Sequence, residues 1–210
     1  MTESVPQAEE LVALAKAEGL IFQVGHLERF NPAVEAVETM LSNPRFVEVQ
    51  RLGSFSARSL DVNVVLDLMI HALDIILALI KDEVAVIRSS GIRVLPEKID
   101  IANARLEFKG GCVATLTASR VHQGKVRKLR IFEPTSYYSI DYIDQEVKVF
   151  PLDGRQTDIK TLKIQKEEPL KKELQNFLRC IMEGRESKVT GAGGLRALRL
   201  AISVLKESEA

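Results

Sequence analysis

The apolar positions of the first segment, Ala8, Leu11, Val12, Leu14, Ala15 and Ala17, recur among Glu and Lys at helical spacing and predict an amphipathic helix from Pro6 to Gly19. Ser4 stands where an N-cap belongs, and Gly19 where a left-handed stop belongs. The apolar run Leu20 to Gly25 then predicts a short, largely buried strand. Helix followed at once by strand is the rhythm of an α/β layer. A layer that starts on its helix leaves that helix without an earlier strand to cover, so residues 1–30 are expected to be the tail of a larger unit. Asn31 and Pro32 predict a second helix to about Ser42, with Asn31 as the cap and Pro32 at its first position. A strand is expected over Arg45 to Leu52, then a polar loop from Gly53 to Asp61 and a long helix from Val62 to Ile80.

After this helix the period changes to two. Ala102, Ala104, Leu106 and Phe108 share one face of residues 101–108, with Asn103, Arg105 and Glu107 on the other. Lys109-Gly110-Gly111 turns the chain into Cys112 to Ser119, which alternates in the same way, so the two runs predict a hairpin. Val126 to Phe132, Tyr137 to Tyr142, Glu146 to Phe150 and Ile159 to Ile164 extend a mostly antiparallel sheet. Two helices close the chain. The first, Pro169 to Glu183, is expected to bury Leu170, Leu174, Phe177, Leu178 and Ile181. The second, Gly193 to Lys206, is expected to bury Leu195, Leu198, Leu200, Ala201 and Val204, with Gly191-Ala192-Gly193-Gly194 read as a turn.

Composition narrows the function classes. Lys plus Arg and Asp plus Glu number 29 each, so no global basic field exists to gather nucleic acid or anionic membrane. The basic run Lys125 to Arg130 alternates like a strand and lacks an aromatic platform for bases; it is expected to be solvated or oligomer-facing. No signal peptide or membrane span is legible. Cys112 and Cys180 lie far apart on apolar faces and are expected in the core, as suits a reducing cytoplasm.

The helix expected over 62–80 carries its polar side chains, Asn63, Asp67, His71 and Asp74, on one arc of roughly 80° at about 100° per residue. The rest is aliphatic or Met, so the stripe must face a cleft or satisfied partners. Asp67 and His71 are four apart; an Asp67 contact would orient the imidazole and tune its proton affinity near neutrality, a general acid/base arrangement. A satisfied core histidine is the plain alternative, and a metal site from His71, Asp67 and His26 a third. Val24 to Pro32 ends a strand and begins a helix, where α/β sheets gather ligands, so His26, Arg29 and Asn31 are candidate substrate contacts. Arg29 could instead pair with a local carboxylate, and Asn31 merely cap its helix. Arg58 and Asp61, in the loop before the striped helix, could close on a polar substrate or lie solvated; Asn63 and Asp74 complete the candidate set.

Taken together, Val24-Gly25 with Arg29-Phe30 and Pro32, and later Asp67-x-x-x-His71-x-x-Asp74, resemble the Gfo/Idh/MocA oxidoreductases across essentially the whole chain. The resemblance extends to the Glu167-Glu168-Pro169 helix and the Val189-Thr190-Gly191 turn. It implies an α/β (α+β) fold, with the remnant of a Rossmann-type dinucleotide domain in residues 1–30. A large, mostly antiparallel open sheet covered by helices on one face would then occupy residues 31–210, as a substrate-binding and oligomerisation domain. It also implies NAD or NADP as cofactor, no metal, and a sugar or nucleotide-sugar substrate. By carry-over, His71 is the acid/base and Asp67 its support. The family's Glu-Lys-Pro lysine and Gly-rich turn would precede Met1, so the chain is expected to lack the cofactor-binding half. Homodimers or homotetramers through the sheet are implied, with Thr115, Thr117 and Ser119 on a candidate face. A narrower likeness, around Leu52 to Ile80 and Arg120 to Phe132, is to members that oxidise the 3-hydroxyl of UDP-N-acetylglucosamine. The competing expectation is a non-catalytic sugar-binding or oligomerisation module.

Overall fold

The computed structural model describes residues 2–55, 62–94, 98–152 and 159–209; Arg58 and Asp61 lie outside the described residues. Helix α1, Val5–Ala17, begins after Ser4, whose side chain makes no capping bond. It stops as the sequence predicts. Gly19 takes a φ of +62°, its N–H reaches Lys16 O at 3.3 Å, and the Leu20 N–H returns to Ala15 O at 2.8 Å, the paired bonds of a Schellman closure.

The predicted strand over Leu20 to Gly25 reduces to one bridge, Gln23 opposite Thr190. A strand needs a neighbour for its ladder, and the neighbour here is the short 189–191 segment: Val24 N–H donates to Val189 O at 3.1 Å and Gly191 N–H to Phe22 O at 2.9 Å. Val24, Phe30 and Val189 form a small buried cluster with Phe22 against it. Residues 191–194, read above as a turn, are instead the first turn of the last helix. A Cβ at Gly191 would stand 2.3 Å from Phe22 Cδ1, and one at Gly194 would stand 2.6 Å from Val24 Cγ2. These glycines are there so that a helix can lie against the extended segment.

A short 3-10 turn, Leu27–Phe30, leads into α2, Pro32–Glu38, which ends sooner than expected. Strands β1 (Phe46–Leu52), β2 (Val84–Ile92), β3 (Ile101–Phe108), β4 (Val113–Ser119), β5 (Val126–Phe132), β6 (Ser136–Asp141), β7 (Glu146–Pro151) and β8 (Lys160–Thr161) form one sheet in the order β2-β3-β4-β1-β5-β6-β7-β8. The β1 to β4 pair is parallel and the other neighbours are antiparallel. The first strand in the chain therefore sits mid-sheet. Its inward positions, Val47, Val49 and Arg51, are buried. The β3–β4 hairpin turns at Gly111, φ +85°. β2 was not foreseen: as the edge strand its residues alternate between half-buried and exposed, with Arg88, Ser89, Ser90 and Gly91 in its middle, and no apolar stripe announces it. Ser89 Oγ holds it to the last helix by donating to Val204 O at 2.6 Å.

The long striped helix is two structures. Val65–Met69 is a π-helical turn, in which the Ile70 N–H reaches back five residues to Val65 O, and α3 follows over Ile70–Leu79. With α2 and the closing helix α5 (Gly191–Glu209) it shares the core on the inner face of the sheet. Of the residues expected to be buried in α5, Leu198, Leu200, Ala201 and Val204 are, while Leu195 is half-buried.

Helix α4, Pro169–Glu183, corrects an expectation. Leu170, Leu174, Leu178 and Ile181 are about half exposed, and the buried residues are Glu173 and Cys180. The packed side is the polar one, because that side has partners. Lys172 bonds Glu35 on α2, and Cys180 Sγ meets Asn176 Oδ1 and Glu186 O. Among the described residues, no helix is long and apolar enough to cross a membrane.

Candidate active site

Two elements carry the predicted histidines. His26 is the residue before the 3-10 turn and is buried; His71 lies in the first turn of α3 and is half-buried. Their Nδ1 atoms stand 3.2 Å apart, with the rings edge to face at 81° and centroids 5.2 Å apart. The hydrogen bond of His71 thus goes to His26, not to Asp67. Asp67 sits half-buried on the π turn, whose wider winding shifts the one-above-the-other alignment an α-helix gives to residues four apart.

The proton affinity also departs from the expectation of a group tuned near neutrality. Burial, then the charge of Arg51, the neighbouring His26 and Arg127 push the His71 pKa down to about 3. Burial, with Arg29 and Arg51, pushes His26 down to about 4. Both rings are neutral at physiological pH, and one proton at most lies between their Nδ1 atoms.

A second layer was not foreseen. Glu28 is buried, and its Oε1 accepts from Arg127 Nη1 at 2.9 Å and Arg51 Nη1 at 3.3 Å. Its Oε2 accepts from Asn31 Nδ2 at 3.2 Å. Arg51 and Arg127 are directly opposite one another in the β1–β5 register. A single carboxylate answers two guanidinium groups, so the cluster keeps net positive character beside His71. Buried Tyr142 closes it; among the described residues its hydroxyl has no hydrogen-bond partner, and burial raises its pKa. The signal was present in the sequence: Val47-Val49-Arg51 and Ile131-Leu129-Arg127 are inward stripes of period two that each end on arginine.

The other candidates divide. Asn31 caps α2, with Oδ1 accepting from Ala33 N at 3.0 Å, and Nδ2 donates to Glu28 and to Tyr142 O at 3.0 Å. Both amide hydrogens and one of the two Oδ1 lone pairs are used within the protein, which favours the capping role over ligand contact. Asn63 Oδ1 accepts from Ile99 N at 2.9 Å, and its backbone carbonyl receives Leu66 and Asp67. Nearby, buried Asp100 accepts from Arg120 Nε at 2.7 Å while Arg120 Nη1 holds Val62 O at 2.7 Å. The start of the striped helix is thereby tied to β3 and β4.

Arg29 and Asp74 are brought to each other, with Arg29 Nη1 at 3.7 Å from Asp74 Oδ2 and Arg29 Nη2 at 3.9 Å from Glu38. They line a groove of about 1250 Å³ with Glu38, Lys188 and Arg196, whose walls do not include His26 or His71. Burial raises Asp74 to a pKa of about 6, against the pull of Arg29. Among the described residues, no three His, Cys, Asp or Glu side chains converge to hold a metal ion.

The dinucleotide implied by resemblance finds no glycine-rich cradle among the described residues. The 210 residues contain no G-x-G-x-x-G, and the glycines at the start of α5 are closed against Phe22 and Val24.

Solved structures share the fold. The chain superposes with a TM-score of 0.92 on UDP-N-acetylglucosamine 3-dehydrogenase from Acidithiobacillus ferrooxidans, at 32% identity, covering 99% of this chain and 68% of that one. On the aldose-aldose oxidoreductase from Caulobacter crescentus complexed with glycerol the TM-score is 0.84 at 21% identity, covering 100% and 68%, a likeness of fold alone. An oxidoreductase from Agrobacterium radiobacter, in complex with NAD+, L-tartaric acid and magnesium, gives 0.83 at 16% identity, covering 98% and 68%, again the fold alone. The sheet and its helices are thus the architecture of an oxidoreductase domain. Sequence narrows the class. The GFO/IDH/MocA C-terminal domain matches residues 33–133, and the Acidithiobacillus enzyme is 32% identical over 218 aligned residues, spanning 100% of this chain and 69% of the relative. The chain belongs to the Gfo/Idh/MocA family.

Proposed function

We propose that this chain supplies the substrate side of an NAD(P)-dependent dehydrogenase that oxidises a hydroxyl of a sugar or nucleotide sugar, with His71 as the proton acceptor. The observation that carries the reading is the neutral His71 ring held against His26 and beside the Arg51–Glu28–Arg127 cluster. A base must be unprotonated to act; burial beside two cations keeps this one so and at the same time weakens it as a proton acceptor, a loss that stabilisation of the developing alkoxide must offset. The same cations favour the alkoxide that forms as the hydroxyl proton leaves for His71. Their net charge also suits a ligand carrying phosphate, which supports a nucleotide sugar such as the substrate named for the Acidithiobacillus relative. Because the described residues offer no dinucleotide cradle, the hydride half of the reaction is not assigned to them. Residues 1–30 are read as the end of a dinucleotide-binding domain, and 31–210 as the substrate domain.

Calorimetry of the purified chain with UDP-N-acetylglucosamine and with free N-acetylglucosamine tests this. Saturable binding of the nucleotide sugar, weakened at least tenfold in Arg127→Ala, is expected. Absence of binding to either, from a folded protein, rejects the substrate-side reading and leaves the assembly module.

One observation bears on assembly. Across the outer face of the sheet, Phe46, Phe132, Tyr137 and Phe150 form a ladder over β1, β5, β6 and β7, with successive centroids 5.9, 4.5 and 4.8 Å apart. With Thr115 and Thr117 on the same face of the sheet, the ladder supports a homodimer formed sheet to sheet.

A further inference from the structure

The contacts between the His26 turn and α3 come in a matched pair. His26 meets His71, and three residues further on in each element Arg29 meets Asp74. The ion pair thus bridges the same two elements whose imidazoles face each other. Of the four ring nitrogens, the two Nδ1 atoms are engaged together. Among the described residues neither His26 Nε2, which is buried, nor His71 Nε2 has a hydrogen-bond partner.

We propose that His26 is a positioning residue for His71: its Nδ1 lone pair accepts the His71 Nδ1–H, fixing the tautomer in which the His71 Nε2 lone pair is free to take a substrate proton. The chemistry follows from counting. Both rings are neutral, so each carries one proton, and a 3.2 Å separation holds one N–H between two nitrogens but not two. With that proton on His71, Nε2 is a base. With it on His26, Nε2 of His71 carries a proton and can only donate. An orienting partner that accepts from the inner nitrogen is what makes the outer nitrogen of an imidazole a proton acceptor. Here that partner is a second imidazole, kept uncharged by burial and by Arg29 and Arg51. His26 Nε2 then bears a hydrogen with no acceptor, an imbalance that a water or ligand oxygen reaching it would relieve.

The direction given to the shared proton rests on the proposed dehydrogenase reading, since a base needs a bare outer nitrogen and the contact itself is symmetric, but the tautomer can be read without substrate or cofactor. The chain has three histidines, and His122, which bonds locally to Gly124, is exposed and serves as a reference. Long-range proton–nitrogen correlation spectra of the labelled protein are expected to show His71 protonated at Nδ1 and bare at Nε2. His26→Asn places an amide oxygen near the former Nδ1 and is expected to keep that pattern. His26→Phe removes the acceptor, and the Nδ1-protonated signature of His71 is expected to be lost in favour of Nε2–H. Finding Nε2–H on His71 in the unaltered protein, or an unchanged tautomer in folded His26→Phe, would overturn the proposal. Should His26→Phe fail to fold, the unaltered protein and His26→Asn decide it by themselves.

Discussion

Glu28 is the residue on which the site's electrostatics turn. It is buried with Arg51, and it receives both Arg51 and Arg127. Removing one partner of a buried ionic cluster leaves the other charges unanswered. Glu28→Ala is expected to cost about 3 kcal/mol, read as a lower urea midpoint, and to lower the His71 proton affinity further. Acid tests the histidines. Their folded pKa values, about 3 and about 4, lie below the ordinary value of 6.5, so the unfolded chain binds protons more readily. Their stabilisation is complete above pH 6.5 and lost as pH falls toward 4 and 3. Asp74, raised to about 6, works the other way between pH 6 and its ordinary value, but with one smaller shift. Urea midpoints are therefore expected to fall between pH 6.5 and 4, by roughly 2–4 kcal/mol in stability. Replacing His71 with Phe should flatten that slope, and a midpoint that rises on acidification would contradict the buried neutral pair.

At the scale of elements, two helices show how packing overrides pattern. Gly191 and Gly194 let α5 approach Phe22 and Val24. Gly194→Ala is expected to cost about 1–3 kcal/mol by overpacking, despite the better helix propensity of Ala, and thermal melts would show the loss. Helix α4 shows the converse. Leu178 is 59% exposed, so Leu178→Gln is expected to change this chain's stability by less than about 0.5 kcal/mol. A core position would lose several times that. The amphipathic period of α4 was legible, but the face that packs was not, because periodicity says which residues lie together and not which neighbour they meet. β2 was illegible for a related reason, since an edge strand need not carry an apolar stripe. The π turn at Val65–Met69 leaves no mark in a hydrophobic pattern that is apolar on nearly every side.

For the whole molecule, the outer aromatic ladder and the bare stripe of α4 are two apolar surfaces of different shape. Sedimentation velocity distinguishes them as association sites. If copies pair sheet to sheet, Tyr137→Lys is expected to weaken self-association at least tenfold while Leu178→Gln leaves it unchanged; the reverse result would move the contact to α4. The helix-covered open sheet was legible in outline: alternation in residues 101–119, and again from Val126 onward, specified strands because period-two burial has no other regular solution. So were the capping of α2 by Asn31 and the order of the motifs that mark the family. The tertiary structure alone decided that β1 pairs in parallel with β4 and antiparallel with β5. That insertion puts Arg51 opposite Arg127 and both onto Glu28. It also decided that His71 meets His26, 45 residues away in sequence, and that Arg29 meets Asp74. Local spacing could nominate Asp67 as the histidine's partner because both lie on one helix. Which charges meet across elements depends on how the sheet brings distant segments together, and no local period encodes that.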